Sequence, residues 1–132
     1  MNKANIEKAL KIEWNDEYSL GDPIIDKQHR TIIEYSKLVF ETTEPKEVVR
    51  RVLDLYVYTR KHFSSEEQIM RERKFNLLSK HREQHNAIIT RLSECMEEIK
   101  INPEKAHKLL HEVMSEWIIK HILTEDMKIP KP

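Results

Sequence analysis

The sequence predicts an all-α protein, an up-down-up-down antiparallel four-helix bundle with an extended N-terminal arm. The chain has a single glycine in 132 residues, far fewer than ordinary soluble domains contain. Its 35% charged and 39% hydrophobic residues suit helices with one buried stripe and a solvated outer face. Four segments place apolar residues at alternating spacings of three and four, which is typical of helices packed at about 20°.

Residues 1–20 are predicted to form the arm. Apolar and polar residues alternate between Ile12 and Leu20, and this period of two indicates an extended chain lying over the bundle. The bundle itself is assigned to residues 23–128. Arm and bundle together make one domain, residues 1–132.

The first two helices are each predicted to begin at a proline. Asp22 is the expected N-cap of the first helix, with Pro23 at its first helical position. An aspartate accepts hydrogen bonds from the free N–H groups of a first turn, and proline has no N–H to leave unbonded there. Thr43-Glu44-Pro45 starts the second helix.

The third helix has two candidate N-caps, Asn76 and Ser79, and Asn102-Pro103-Glu104 is expected to cap the fourth. Because all the connections are short, consecutive helices should be antiparallel neighbours. The start of the first helix, the end of the second, the start of the third and the end of the fourth then share one end of the bundle.

Seven polar residues fall on the predicted buried stripes at this shared end. Burying so many ionisable side chains without a metal would be strongly unfavourable. Seven ligands exceed the four that a tetrahedral zinc ion takes, so two ions are expected. The candidate ligands are His29, His62, Glu66, His81, His85, His121 and Asp126.

This mixture of imidazoles and carboxylates favours a pair of octahedral irons. Two octahedral irons have about twelve coordination positions in total. Five of them would go to histidines, four to two bridging carboxylates and two to one bridging oxygen. One position is left open, and a single open position suits a small end-on ligand such as O₂.

Five motifs with these residues span nearly the whole chain. They are Glu13-Trp14-Asn15-Asp16, Ile25-Asp26-Lys27-Gln28-His29, His62-Phe63-Ser64-Ser65-Glu66-Glu67, the pair His81 and His85, and the segment from Trp117 to Asp126. Together they resemble the hemerythrin family, specifically its single-domain bacterial type. The resemblance implies a non-haem di-iron centre that binds O₂ reversibly, and small anions such as azide in the oxidised state.

The resemblance also implies a role for each candidate ligand. His81, His85 and His121 bind one iron, and His29 and His62 bind the other. Glu66 and Asp126 bridge the irons together with an oxo or hydroxo group. O₂ binds at the iron that has only two histidines.

An apolar pocket is expected beside that iron, because hydrocarbon walls slow the entry of water and anions. The expected wall residues are Phe63, Trp117, Ile118, Ile122 and Ile32.

Two features of the fourth helix need explanation. His121 and Asp126 are five residues apart, which on a regular helix separates their side chains by about 140°. The helix must therefore widen or break near its end for both to reach the metals. Ile129 stands where members of the resembled family commonly have a tyrosine.

Three other residues with metal-binding chemistry are assigned elsewhere. His107 and His111 form a pair four apart, but His107 lies about 21 Å from His121 along a helix, at the far end of the bundle. Cys95 is expected to be a small core residue.

The expected function is O₂ transport, storage or sensing, without catalysis. Two alternatives remain open: a di-iron oxidase or peroxidase, and a signalling module that responds to iron and O₂. The 23 basic and 23 acidic residues balance, which argues against nucleic acid or an anionic membrane as a partner. A single cysteine and the absence of a long apolar run indicate a cytoplasmic protein.

Overall fold

The computed structural model describes residues 12–132, which form helices joined by short connections and contain no strand. Three long helices come first: α1 (Pro23–Phe40), α2 (Pro45–Glu72) and α3 (Leu78–Ile101). The fourth helical region consists of α4 (Ala106–Val113), a π-helical segment (Met114–Ile119) and α5 (Lys120–Thr124). The prediction of a four-helix bundle is confirmed.

Contacts between helix ends establish the up-down-up-down topology. At one end, Arg73 follows α2 and donates 2.7 Å hydrogen bonds to the carboxylate of Asp22, before α1, and to the carbonyl oxygen of Pro130. At the opposite end, His107 near the start of α4 lies 3.0 Å and 3.1 Å from the carbonyl oxygens of Val39 and Thr42. We call these the Arg73 end and the His107 end.

The predicted starts of α1 and α2 are correct, and the predicted side-chain caps of the third and fourth helices are wrong. The Asp22 carboxylate accepts bonds from the N–H groups of Ile24 and Ile25. The third helix begins at Leu78 without any side-chain cap. Asn102 also lacks a side-chain cap bond; its carbonyl accepts from the N–H of Lys105, in a 3₁₀ turn that precedes α4.

The arm residues that the structure describes lie against the bundle, as predicted. Ile12 and Leu20 are buried, and a 3₁₀ turn at Asp16–Tyr18 interrupts the extended chain between them. The side chain of Asp26 in α1 fixes this segment, since its two oxygens accept from the Ser19 hydroxyl and the Leu20 N–H. The part of the predicted arm at residues 1–11 lies outside the described residues.

The core is mainly aliphatic along most of the bundle, and polar near the Arg73 end. Fully buried side chains such as Leu55, Leu92 and Leu110 fill the middle. Seven titratable side chains take the place of hydrocarbon near the Arg73 end, each at most 6% exposed: His29, His62, Glu66, His81, His85, His121 and Asp126.

The fourth helical region both widens and breaks, as the spacing of its polar residues requires. The π-helical segment comes before His121, and α5 ends at Thr124. A 3₁₀ turn at Asp126–Lys128 follows, in which Asp126 is buried. The chain thereby turns Asp126 toward the same interior that His121 faces.

Candidate metal centre

The structure brings all seven candidate ligands together in one buried cluster. α1 contributes His29, α2 His62 and Glu66, α3 His81 and His85, and the fourth region His121 with Asp126 after it. The donor atoms fall into two groups that could each hold a metal ion, and both groups contain the two carboxylates.

Three histidines face one side of the carboxylate pair. The Nε2 atoms of His81 and His85 each lie 3.1 Å from Oε1 of Glu66. Oδ1 of Asp126 lies 2.9 Å from Nε2 of His81 and 3.1 Å from Nε2 of His121. We call this the three-histidine side.

Two histidines face the other oxygens of the same carboxylates. Nε2 of His62 lies 3.1 Å from Oε2 of Glu66. Nε2 of His29 lies 3.1 Å from Oδ2 of Asp126 and 3.4 Å from Oε2 of Glu66. Each carboxylate therefore turns one oxygen to the three-histidine side and one to this two-histidine side.

Hydrogen bonding alone does not satisfy this cluster. Nε2 of His81 has three close neighbours, including Nε2 of His121 at 3.0 Å, but an imidazole nitrogen carries at most one hydrogen. On the two-histidine side, Nε2 of His29, Nε2 of His62, Oε2 of Glu66 and Oδ2 of Asp126 make no hydrogen bond with residues 12–132. Buried polar atoms without partners are costly, and a cation on each side would satisfy them.

The spacing of the donor atoms fits octahedral ions. Two ligand atoms about 2.1 Å from one ion and at right angles to each other lie about 3.0 Å apart. The contacts on both sides range from 2.9 Å to 3.4 Å, close to that value. The residues present therefore fit a pair of metal ions.

Protons hold part of this cluster together when no metal is bound. Burial lowers the pKa of His29 and of His81, but the carboxylates of Asp126 and Glu66 outweigh burial and raise both pKa values to about 9. Burial and the charge of Glu66 raise the pKa of Asp126, yet the neighbouring imidazoles of His121, His29 and His81 bring it down to about 2. Metal ions must displace these protons, so binding releases protons to solvent.

Comparison with known proteins identifies the family. The family profile described as Hemerythrin HHE cation binding domain matches residues 20–129, which include every candidate ligand. The chain belongs to the hemerythrin family.

Relatives in this family are moderately similar to the chain. A Bacteriohemerythrin of Stenotrophomonas maltophilia is 31% identical over 116 residues, 86% of this chain and 75% of the relative. A Bacteriohemerythrin of Campylobacter jejuni is 32% identical over 124 residues, 86% of this chain and 88% of the relative. No solved structure matches the chain significantly. In residues 12–132, no helix has the length and apolar character needed to cross a membrane.

Two of the hemerythrin-family histidines are oriented by neighbouring side chains. Nδ1 of His62 bonds to Oε1 of Gln28 at 2.7 Å, and the amide nitrogen of Gln28 donates to the Ser65 hydroxyl. Nδ1 of His85 bonds to Oε2 of Glu67 at 2.8 Å. Each acceptor holds the proton on Nδ1 and leaves the Nε2 lone pair pointing into the cluster.

Sequence reasoning did not identify Gln28 or Glu67 as partners of histidines. Each is adjacent in sequence to a candidate ligand, Gln28 to His29 and Glu67 to Glu66, but each contacts a histidine of another helix. Adjacency was the available signal. It could not name the partner, because that depends on how the helices are rotated.

A narrow cavity opens on the two-histidine side. Besides His29, His62, His121 and Asp126, it is lined by Ile32, Phe63, Ile118 and Ile122, four of the five side chains expected to wall a pocket. Trp117 does not line it. That side chain is 36% exposed and instead lines a surface groove, together with Ile88 and His121.

The remaining sequence-predicted residues lie away from the cluster or pack as core. His107 bonds to backbone carbonyl groups at the opposite end of the bundle. Cys95 is fully buried, and burial raises the pKa of its thiol to about 11. Ile129 is 5% exposed and belongs to the apolar core.

Proposed function

We propose that this protein binds O₂ reversibly at a non-haem di-iron centre and acts as an O₂ carrier, store or sensor rather than an enzyme. One observation carries the proposal: each buried carboxylate turns one oxygen to the three-histidine side and the other oxygen to the two-histidine side. Such a cluster suits two ions bridged by both carboxylates and holding unequal numbers of histidines.

The proposed ligand assignment follows this division. His81, His85 and His121 hold one iron, and His29 and His62 the other. Glu66 and Asp126 would be shared by the two irons, together with an oxo or hydroxo group. When bound, the iron pair supplies the electrons for reversible O₂ binding. Fewer protein ligands on the two-histidine side leave room for O₂ there, and for azide in the oxidised protein.

The chain's own residues have two further tasks in this proposal. Gln28 and Glu67 keep the Nδ1 protons of His62 and His85 in place, so that the opposite nitrogens stay free for metal. Ile32, Phe63, Ile118 and Ile122 wall the cavity with hydrocarbon and keep water out. A dry site protects a reversible complex from attack by water and anions.

An oxidase or peroxidase of the ferritin-like kind is less well supported. Those bundles place a Glu-x-x-His motif at the metals. The single such motif in this chain is Glu104-Lys-Ala-His107, and His107 bonds to carbonyl oxygens at the His107 end.

We also propose that residues 1–132 form one domain and that the protein is cytoplasmic, where a lone cysteine stays reduced.

A stopped-flow experiment tests the function. Anaerobic protein loaded with ferrous iron is mixed with O₂ and then purged with argon. We expect a visible absorption band that appears on mixing and fades on purging, over several cycles, with two irons per chain retained. Protein loaded with zinc is the matched control and should show no band. Steady consumption of O₂ and a reductant without a reversible band would favour an oxidase instead.

A further inference from the structure

The two sides of the cluster differ in the charge of the groups that bond to their histidines. On the three-histidine side, His85 bonds through Nδ1 to the carboxylate of Glu67 at 2.8 Å. On the two-histidine side, His62 bonds in the same way to the amide of Gln28 at 2.7 Å. The distances are nearly equal, so the contrast lies in charge, anionic against neutral.

The charge of the acceptor matters to a metal on the far side of the ring. A carboxylate that accepts the Nδ1 proton raises the basicity of Nε2, so the imidazole becomes a stronger electron donor. A stronger donor stabilises the higher charge of a ferric ion relative to a ferrous ion. An amide acceptor orients the ring as well but adds no negative charge.

The surroundings of His85 let the charge of Glu67 act strongly. The ring is 1% exposed, and Phe63 stacks on it with ring centroids 3.8 Å apart and planes within 6°. Glu67 itself is 20% exposed, so its carboxylate reaches from the buried ring toward the surface. Charges at such a shielded position interact with less screening than surface charges do.

Arg82 works against Glu67. Its Nε lies 3.2 Å from Oε1 of Glu67, the oxygen that does not bond to His85. The positive guanidinium partly offsets the electrostatic effect of the Glu67 carboxylate on the imidazole. Because Arg82 is 56% exposed, solvent and salt screen its effect, and it should be the weaker of the two.

We propose that Glu67 is a positioning residue that gives the three-histidine iron the lower reduction potential, so that this iron is oxidised first. Arg82 limits the effect, and Gln28 leaves the two-histidine iron at the higher potential. The inference rests on the proposed di-iron centre and adds the order in which its two irons lose electrons.

Three single variants of the iron-loaded protein test it. Glu67→Gln keeps an acceptor for Nδ1 but removes its charge, so it should raise the lower of the two potentials. Arg82→Gln leaves Glu67 uncompensated and should lower that potential further. Gln28→Glu gives His62 an anionic acceptor and should lower the higher potential. Spectroelectrochemical titration under anaerobic conditions measures both potentials without any O₂ activity.

The expected shifts have opposite signs, which a merely structural role would not produce. For Glu67→Gln we expect about a tenfold change in the ferric–ferrous equilibrium, which corresponds to about 59 mV for one electron. This is the lower end of the effects seen when the outer hydrogen-bond partner of a metal ligand is removed. The gap between the two potentials should narrow in Glu67→Gln and in Gln28→Glu, and widen in Arg82→Gln. Iron content and melting temperature are measured beside each titration.

Failure of this inference and failure of the proposed function give different results. Unchanged potentials in variants that keep two irons, or shifts of the same sign in Glu67→Gln and Arg82→Gln, would overturn the inference alone. A parent protein that holds no iron pair would overturn the proposed function. If Glu67→Gln loses iron, Arg82→Gln and Gln28→Glu still decide, because neither removes the acceptor of His85.

Discussion

At the scale of single residues, neighbours in sequence take very different positions near the cluster. Ile118 is 3% exposed and lines the cavity on the two-histidine side, whereas Trp117 is 36% exposed and lines a surface groove. Both are apolar and within a few residues of His121, so composition and spacing could not separate them. The π-helical segment that contains both residues sets which one faces inward.

Ile118 tests the idea that hydrocarbon protects the O₂ complex. Ile118→Ala should leave complex formation intact, because no candidate ligand is lost. The enlarged cavity should admit water and anions, so the complex should decay faster to the oxidised state, and azide should bind that state faster. Absorption spectroscopy measures both rates. Because the substitution leaves a cavity in the core, the free energy of unfolding should also fall by about 2–5 kcal/mol.

Ile119→Ala is the matched control for this variant. Ile119 is also buried, at 9% exposed, but it does not line the cavity. Ile119→Ala should lower the free energy of unfolding without shortening the lifetime of the O₂ complex. If the two variants decay at equal rates, or if Ile118→Ala decays as slowly as the parent, Ile118 is ordinary core.

At the scale of elements, the start of α1 depends on one carboxylate with two tasks. Asp22 caps the helix and also accepts a 2.7 Å bond from Arg73. Burial alone would raise the pKa of Asp22, but the bonds from Arg73 and from the N–H groups of Ile25 and Ile24 lower it below its ordinary 3.8. The ionised carboxylate therefore stabilises the folded state.

Asp22→Ala should lower the free energy of unfolding by about 0.5–2 kcal/mol through the lost cap, and further through the lost ion pair. Asp22→Asn keeps a capping oxygen and removes only the charge, so it should cost less. Because the folded pKa is lowered, the charge contributes fully above pH 3.8 and is lost as the pH falls through the lowered pKa.

Urea unfolding of parent and variants at several pH values measures this dependence, with all proteins in the same metal state. The stability gap between parent and Asp22→Asn should be constant at neutral pH and close in acid. A gap that does not change with pH would mean that the charge of Asp22 does not stabilise the fold.

The fourth helical region shows where prediction from sequence reaches its limit. The five-residue spacing from His121 to Asp126 required an irregular helix, and the structure has one. The position of the π-helical segment, before His121 rather than after it, was not predicted. Nor was the start of α3 at Leu78 without a side-chain cap, because packing against the bundle can fix a helix end that local signals leave open.

At the scale of the whole molecule, four helical regions meet at one buried polar cluster. Their convergence was predictable, because short connections make an alternating topology and the spacing of polar residues fixed their level in the bundle. The bonds from Gln28 and Glu67 were not, since they depend on the rotation of each helix. The ligand roles of the seven residues stay a prediction that metal analysis must test.

Metal binding should couple directly to the stability of the whole fold. His121→Ala removes one donor on the three-histidine side, so we expect lower iron content and a lower melting temperature. Chelation of iron from the parent should lower its melting temperature in the same way. Iron analysis and thermal unfolding, with and without chelator, measure these effects.

His107→Ala is the control, because His107 lies at the opposite end, half-buried and bonded to backbone carbonyls. It should keep the iron content of the parent, and its stability should respond to chelator as the parent's does. Equal iron content in His121→Ala and His107→Ala would rule out His121 as a ligand.

The gathered donor atoms on both sides of the cluster also bear on how the chain selects its metal. Five imidazole nitrogens and two carboxylates bind divalent first-row metals in an order that rises from manganese to copper, with iron near the bottom. Affinity alone would therefore favour copper or zinc over iron. Selection of the proposed iron pair would then depend on supply and on a preference of the site for two octahedral ions that share both carboxylates. Protein produced in a copper- or zinc-rich medium is consequently at risk of mismetallation, and the metal that it contains reports the conditions of synthesis as much as the preference of the chain.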